Sequence, residues 1–570
     1  MRPSTTYKGL ALLAVLGLGL TACSSSSSPS ANKSASTSNK TLVIEDNTGA
    51  TSYTDDFNPF DTNSFARTEN TASFIYEPLF QFNTLDSSSA PIPWLATNSA
   101  WSDGNKTLTL TLRQGVKWTD GTPFTSADVA YTFQTVTADQ AANTFAVPTA
   151  SSITTPDANT VVMKFSAPQK ANFVAIGNQL IVQKAQWSTI TAPDKAVLTG
   201  EKAIGTGPYV LDSFTPQNVK YKANSGFWGG APKVQKISIP LYSSNDAASL
   251  ALAQGQIDLA GNDINNVLTT FVAKDQAHNH LFQSTAPYFP ASNTVVLMLN
   301  TKDSKSPFLG DAKVRKAISA ALDRQSLATQ CETNYELPAT SSGGLTLPID
   351  QKFLNSATTN DLKTSPDTAT VQSAMQSAGF AMTGGKWTKN GQTVKFTIID
   401  PNSFTDYWCN VQATVQQLNS AGFDVNDNGA FTYTTWNEAV TTGNYDATFH
   451  WGQGSTPFQR LQFILDSTQT QPIGTAAAGD FTRYQSATAD AAVTQFENAT
   501  GSADEQTALN ALQQVFAQDL PAIPVLYGAA WYEYTDANFT GWPTSSNAYI
   551  NPSPNNQAYE YLVLQLKPVS

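Results

Sequence analysis

Between Thr107 and Leu112 the chain alternates threonine with Leu108, Leu110 and Leu112, the two-residue period of a strand buried on one face. Asp120-Gly121-Thr122-Pro123 then reads as a turn, with glycine available for a positive φ and proline presetting an extended entry. Thr125 is placed to cap a helix and Asp128, three residues on, to reach back to it, a capping box whose carboxylate also suits the helix dipole. Val129 and Phe133 carry the buried face of that helix. The stretch 112–133 offers no nucleophile and no metal ligand set, so it reads as scaffold. Apolar, β-branched runs recur at 41–46, 160–165, 233–242 and 392–400. Between them lie helical faces: Val314, Ala317, Ile318, Ala321 and Leu322, then Trp408, Val411, Val415 and Leu418. The pattern predicts a mixed α/β chain. It shows neither a solenoid repeat nor a long charged or proline-rich linker within the body, which implies domains joined by several chain crossings.

The N-terminal end has a different composition. Arg2 and Lys8 precede the apolar run 9–20, too short for a stable span and right for the core of a secretory signal, residues 1–22. Leu20-Thr21-Ala22-Cys23 resembles a bacterial lipobox, which makes Cys23 the expected lipidated N-terminus. Residues 23–40 are serine-rich with few apolar side chains, and read as a tether reaching roughly 20 to 25 Å as a random coil. Loss of Arg2 and Lys8 with the signal takes the net charge from -12 to -14. That argues against nucleic acid or an anionic membrane surface as partner. No later segment has eighteen consecutive apolar residues, so membrane attachment is expected through the lipid alone. The stretch 41–570 exceeds what one core usually serves, and two or three domains are expected.

Several motifs follow one another in a recognisable order. They are Tyr76-Glu77-Pro78-Leu79-Phe80, Pro93-Trp94-Leu95-Ala96, the stretch 112–133, Gly205-Thr206-Gly207-Pro208-Tyr209, residues 224–230, Gly255-Gln256-Ile257-Asp258, and Val314-Arg315-Lys316-Ala317-Ile318 with Leu322-Asp323-Arg324. Together they resemble the family 5 extracellular solute-binding proteins of bacterial ABC importers, the oligopeptide and dipeptide binder group. The resemblance implies a two-lobed α/β fold of the periplasmic binding-protein type (class II) with an accessory α/β domain. Lobe one is expected at 41–83, 200–300 and 515–570, the accessory domain at 84–199, and lobe two at 301–514. It also implies a monomeric, non-catalytic receptor on the outer face of the cell membrane that closes on its ligand and is recognised by permease subunits served by a cytoplasmic ATPase.

Rival classes find little support. There is no G-x-S-x-G elbow or H-E-x-x-H, and His278, His280 and His450 are the only histidines. His278-Asn279-His280 reads as surface polarity without nearby acidic or cysteine ligands; no metal and no cofactor are expected. A carboxylate-pair glycosidase and an adhesive lipoprotein stay open as alternatives. Cys331 and Cys409, the cysteines of the exported body, are expected to form a disulfide within lobe two.

The cargo reading turns on one departure from the family pattern. Where the peptide-binding branch places an Asp after a Trp, residues 449–457 contain no acid after Trp451, which puts recognition of an α-ammonium in doubt. Gln453 is free instead to bond a hydroxyl. Trp451 is the expected sugar platform, with Trp408 and Trp436 as further ones. Asn58 of Phe57-Asn58-Pro59-Phe60 and Trp542 of Gly541-Trp542-Pro543 resemble the branch that binds β-linked oligosaccharides such as cellobiose. An oligosaccharide is therefore the expected cargo and an oligopeptide the alternative.

Overall fold

The computed structural model describes residues 40–46, 50–264, 266–303 and 305–570. Cys23, the signal and the tether up to residue 39 lie outside them. The described chain builds three principal sheets. The first runs, in spatial order, Asn279–Leu281, Glu533–Thr535, Leu259–Ala260, Thr41–Glu45, Lys236–Pro240, Asn218–Ala223 and Tyr209–Thr215. The second runs Leu337–Pro338, Ala522–Ala529, Ala291–Leu299, Ala447–Trp451, Lys395–Ile399 and Asp424–Asn428. A smaller antiparallel sheet, Ala96–Ser102, Thr107–Leu112, Thr160–Lys164 and Ser152–Asp157, belongs to the accessory region.

The strand pairing moves the expected lobe boundaries. Residues 291–300 and 515–529 fall within the expected lobe one, but Ala291–Leu299 pairs with Ala447–Trp451 and with Ala522–Ala529 at the centre of the second sheet. The chain therefore passes between the sheets at 282–290 and 530–532. The reason lies in the side chains. Val295, Leu297 and Leu299 enter one apolar core while Val296 and Met298 enter another on the opposite face. Such a strand, buried on both sides, belongs at the centre of a helix-covered sheet and reads as a continuous apolar run. The accessory region has no separate core: Leu108, Leu110, Val129 and Phe133 pack into the same cluster as Leu42, Ile44 and Tyr221 of the first lobe.

The motif residues turn out to hold this architecture together. Trp94 Nε1 donates to Glu560 at 3.1 Å, Trp228 Nε1 donates to Glu77 at 2.9 Å, and the Arg113 guanidinium lies 4.0 Å from the Trp228 ring. Burial pushes the Glu77 carboxyl up to about 8, and burial with the nearby Glu77 charge raises the Glu560 carboxyl as well. Gly205 and Gly207 run against the Ile75 and Phe74 carbonyls so closely that a Cβ would meet backbone oxygen at 1.8 and 2.3 Å. Asp258 accepts the Val43 N-H at 2.9 Å. Arg315 donates to the Asp519, Leu520 and Leu309 carbonyls, and Arg324 to Pro524 and Ser319. In the accessory region the capping box forms as expected. The Thr125 N-H donates to Asp128 Oδ2 at 2.9 Å, and the other Asp128 oxygen accepts from the Lys184 backbone at 3.0 Å.

In lobe two the helix Pro457–Leu465 is anchored by Arg460, whose Nη1 donates to both Asp350 oxygens at 2.8 and 2.7 Å with each side chain 3% exposed or less. Removing one member of such a buried pair leaves the other charge uncompensated. Asp350→Ala is therefore expected to destabilise lobe two by about 3 to 5 kcal/mol. Urea unfolding followed by tryptophan fluorescence checks this, and an unchanged midpoint would contradict it.

Candidate ligand-binding cleft

The strands Thr41–Glu45 and Leu259–Ala260 run parallel and end at one edge of the first sheet, the position at which ligands of open α/β sheets collect. Asp263 lies just beyond that edge. Its carboxylate accepts a hydrogen bond from the side chain of Thr405, the first residue of the second-lobe helix Thr405–Ser420, so it meets the other lobe directly. The same helix start carries Asp406 and Tyr407. Two residues further along, Cys409 is joined by a disulfide to Cys331. The neighbours of both cysteines are bonded too, because Asn410 Nδ2 donates to Glu332. Glu336, four residues on, accepts the Ala529 N-H at 2.8 Å from the end of the crossing strand.

Asp263, Asp406, Glu332 and Glu336 thus gather where the lobes meet. Burial pushes all four carboxyls up, and mutual repulsion adds to it: Asp406 acts on Asp263, while Glu336, Asp406 and Asp263 act on Glu332. Asp263 and Glu336 each rise to about 8. The Tyr407 hydroxyl is likewise pushed up, first by burial and then by Glu336 and Asp406. The ion pairs found among the described residues all lie elsewhere. Sequence reasoning missed these four acids. The available signal was the expected disulfide, which, used as a distance restraint, brings Glu332 beside the helix start that holds Asp406.

Trp451 ends the strand Ala447–Trp451 and remains half-buried, with the Tyr407 ring edge-on at 6.3 Å. His450 backs it. The imidazole is buried and stacks on Trp436 at 5.5 Å, lies 4.5 Å from the Trp451 ring, and is pushed down to about 4, so it is neutral at physiological pH. Gln453 is exposed in the loop that follows. Gly454, at φ 119°, turns that loop onto the helix Pro457–Leu465; a Cβ there would lie 2.6 Å from the Arg460 nitrogen.

The other expected platforms fare differently. Trp436 is fully buried with Nε1 donating to Thr448 at 2.8 Å, so it supports Trp451 and offers no face to a ligand. Trp408 is half-buried and packs on the lobe-two core and Gly429. Asn58 is fully buried. Its amide donates to the Pro193 and Ala196 carbonyls at 2.7 Å each and its oxygen accepts from Phe60, which uses it up as a staple between lobe one and the accessory region. Trp542 packs against Tyr534 within the first-lobe core and donates to the Phe539 carbonyl at 2.7 Å. His278 and His280 do have an acidic neighbour, at 2.7 and 3.3 Å from Asp536, contrary to expectation. Among the described residues no group of three or more histidine, cysteine or acidic side chains is arranged to hold a metal. A groove of about 670 Å³ bordered by Asp323, Met382, Trp387 and Gln416 is lined by lobe two alone and is not the cleft.

Comparison with known proteins agrees with this geometry. The family described as bacterial extracellular solute-binding proteins, family 5, matches residues 90–471. The chain belongs to this family. Curated relatives include Protein XP55 of Streptomyces lividans, 25% identical over 59% of this chain and 58% of that one. The nickel-binding periplasmic protein of Escherichia coli is 27% identical over 57% of this chain and 60% of that one. The match therefore spans about three fifths of those relatives' length. An oligopeptide ABC transporter binding protein of Thermotoga maritima, solved with mannohexaose bound, superposes with a TM-score of 0.80 at 24% identity, covering 93% of this chain and 99% of that one. The oligopeptide-binding protein AppA of Bacillus subtilis, solved with a nonapeptide, gives 0.73 at 18% identity, covering 93% and 99%. The fold is the two-lobed type II binding-protein fold of such receptors. Family 5 is a family of extracellular solute-binding proteins. Among the described residues no helix is long and apolar enough to cross a membrane.

The buried acids set a pH dependence. Glu336 and Glu45 rise to about 8 and Asp46 to about 7, from ordinary values near 4. A carboxyl raised on folding contributes fully below its unfolded value, and that contribution is lost as pH climbs through the folded one. The melting temperature is expected to fall between about pH 5 and pH 8, and Glu336→Gln to flatten the slope. Calorimetric melts across that range check it; a melting temperature rising with pH would refute it.

Proposed function

We propose that this chain is the substrate-binding lipoprotein of an ABC importer, anchored outside the cell membrane through Cys23, and that it captures an oligosaccharide for delivery to permease subunits served by a cytoplasmic ATPase. The observation that carries the cargo reading is the half-exposed Trp451 ring, held rigid by the buried His450 and Trp436 and flanked by Tyr407. A pyranose presents C-H groups on its faces and hydroxyls on its rim, so an aromatic face with polar groups beside it suits a sugar. Gln453 supplies an amide for the rim, and carboxyls that carry a proton both donate to and accept from hydroxyls. The Thermotoga maritima neighbour with mannohexaose bound supports the same reading. Micromolar affinity needs only about -8.2 kcal/mol in total.

A second reading, an oligopeptide, is favoured by the carboxyls of Asp263, Asp406, Glu332 and Glu336, which supply the acid that residues 451–457 lack. Titration calorimetry of the full-length protein against cello-, xylo- and manno-oligosaccharides and against tri- to pentapeptides decides between them. Saturable binding of an oligosaccharide is expected, with Trp451→Ala weakening it at least about tenfold, or 1.4 kcal/mol, at unchanged circular dichroism. Peptide binding with no heat from any saccharide would overturn the cargo reading.

A further inference from the structure

The junction of the lobes carries more carboxyl groups than a neutral sugar requires. Asp263 comes from the first lobe, while Asp406 and the pair Glu332 and Glu336 come from two segments of the second that the Cys331–Cys409 disulfide draws together. The array continues into the first lobe through Glu533, on which Glu45 and Asp263 act in turn, and it is flanked by Asp400 and the Tyr407 hydroxyl. Two of its members have carboxyl oxygens without a hydrogen bond. Glu332 is 3% exposed and its Oε2 has no hydrogen bond, and Glu533 is fully buried with neither carboxylate oxygen bonded. A buried polar atom without a partner is destabilising, a penalty that a cationic donor would remove. A zwitterion is a poor fit, because the carboxyls that ionise to meet its ammonium would repel its own carboxylate. A molecule carrying several cations and no anion matches the row along its length.

We infer that these carboxyls form a subsite for protonated amino groups, and that the cargo is an oligosaccharide with free amines, a β-linked glucosamine oligomer in type. The inference rests on the oligosaccharide reading above. In it Trp451 covers a ring face while Asp263 and Asp406, one from each lobe, take an ammonium between them. The ligand then bridges the lobes by charge as well as by stacking. Carboxyls that hold a proton in the free protein give it to the solvent when the ammonium arrives, so binding is accompanied by proton release.

Titration calorimetry of the full-length protein tests this with tetraglucosamine, its N-acetylated counterpart and cellotetraose at about pH 5.5, in two buffers of different ionisation enthalpy. Tetraglucosamine is expected to bind at least about tenfold more tightly than cellotetraose and to show a buffer-dependent heat of proton release that the neutral tetramers lack. Asp406→Asn is expected to abolish both the affinity difference and the proton release. Asp263→Asn, on the other lobe, repeats the test should the first variant fail to fold. If the neutral tetramers bind as tightly and no proton is released, the amine subsite is wrong and the oligosaccharide reading survives. If peptides alone bind, both fall.

Discussion

The antiparallel pairing of Ala291–Leu299 with Ala522–Ala529 is the interaction on which the rest of the molecule depends. These strands lie at the heart of the second sheet, and each continues directly into the first lobe through the short crossings at 282–290 and 530–532. Because the pair is buried on both faces, it cannot slip by one residue without exchanging the two cores it fills. Everything that meets at the cleft is referenced to it. Trp451 sits opposite Val295 on the neighbouring strand, Glu336 bonds to the Ala529 N-H, and Glu533 opens the strand that follows the crossing.

From this frame the cleft is assembled by three further restraints. The Cys331–Cys409 disulfide ties the turn bearing Glu332 to the helix bearing Asp406 and Tyr407. The Arg460–Asp350 pair seats the helix behind the loop of Gln453. The neutral His450 fills the space beneath Trp451. The ion pair and the imidazole are buried, so both act at low dielectric, where geometry is held tightly and an error is costly.

The α/β class, the capping box at Thr125 and the family were legible because motif and periodicity report backbone requirements. Gly205 and Gly207 are needed where backbones touch, and Arg315 and Arg324 where buried carbonyls need donors. The same fact explains the misreadings. Asn58, Trp436 and Trp542 sit in distinctive segments, yet their polar atoms are all engaged by backbone or core partners. The acids of the cleft were illegible for the opposite reason. Asp263, Glu332, Glu336 and Asp406 lie in ordinary stretches of sequence and become unusual only when the fold brings them together and removes water. The lobe boundaries failed at 300 and 515 because an apolar run states that a strand is buried, not in which sheet.

The Glu77–Glu560 node has a consequence for how the molecule comes into being. Its two carboxyls are separated by nearly the whole chain, and Trp94 and Trp228 close it from intermediate positions. A contact of such sequence separation must bear a large loop-closure entropy before it yields anything, which places it late in folding. The first lobe and the accessory region share one core with the C-terminal helix Tyr559–Gln565, so neither can be completed on a growing chain. For a polypeptide that emerges N-terminus first, this keeps the N-terminal segments unable to lock into their native arrangement until the last residues have arrived, a property well matched to crossing a membrane as an unfolded thread.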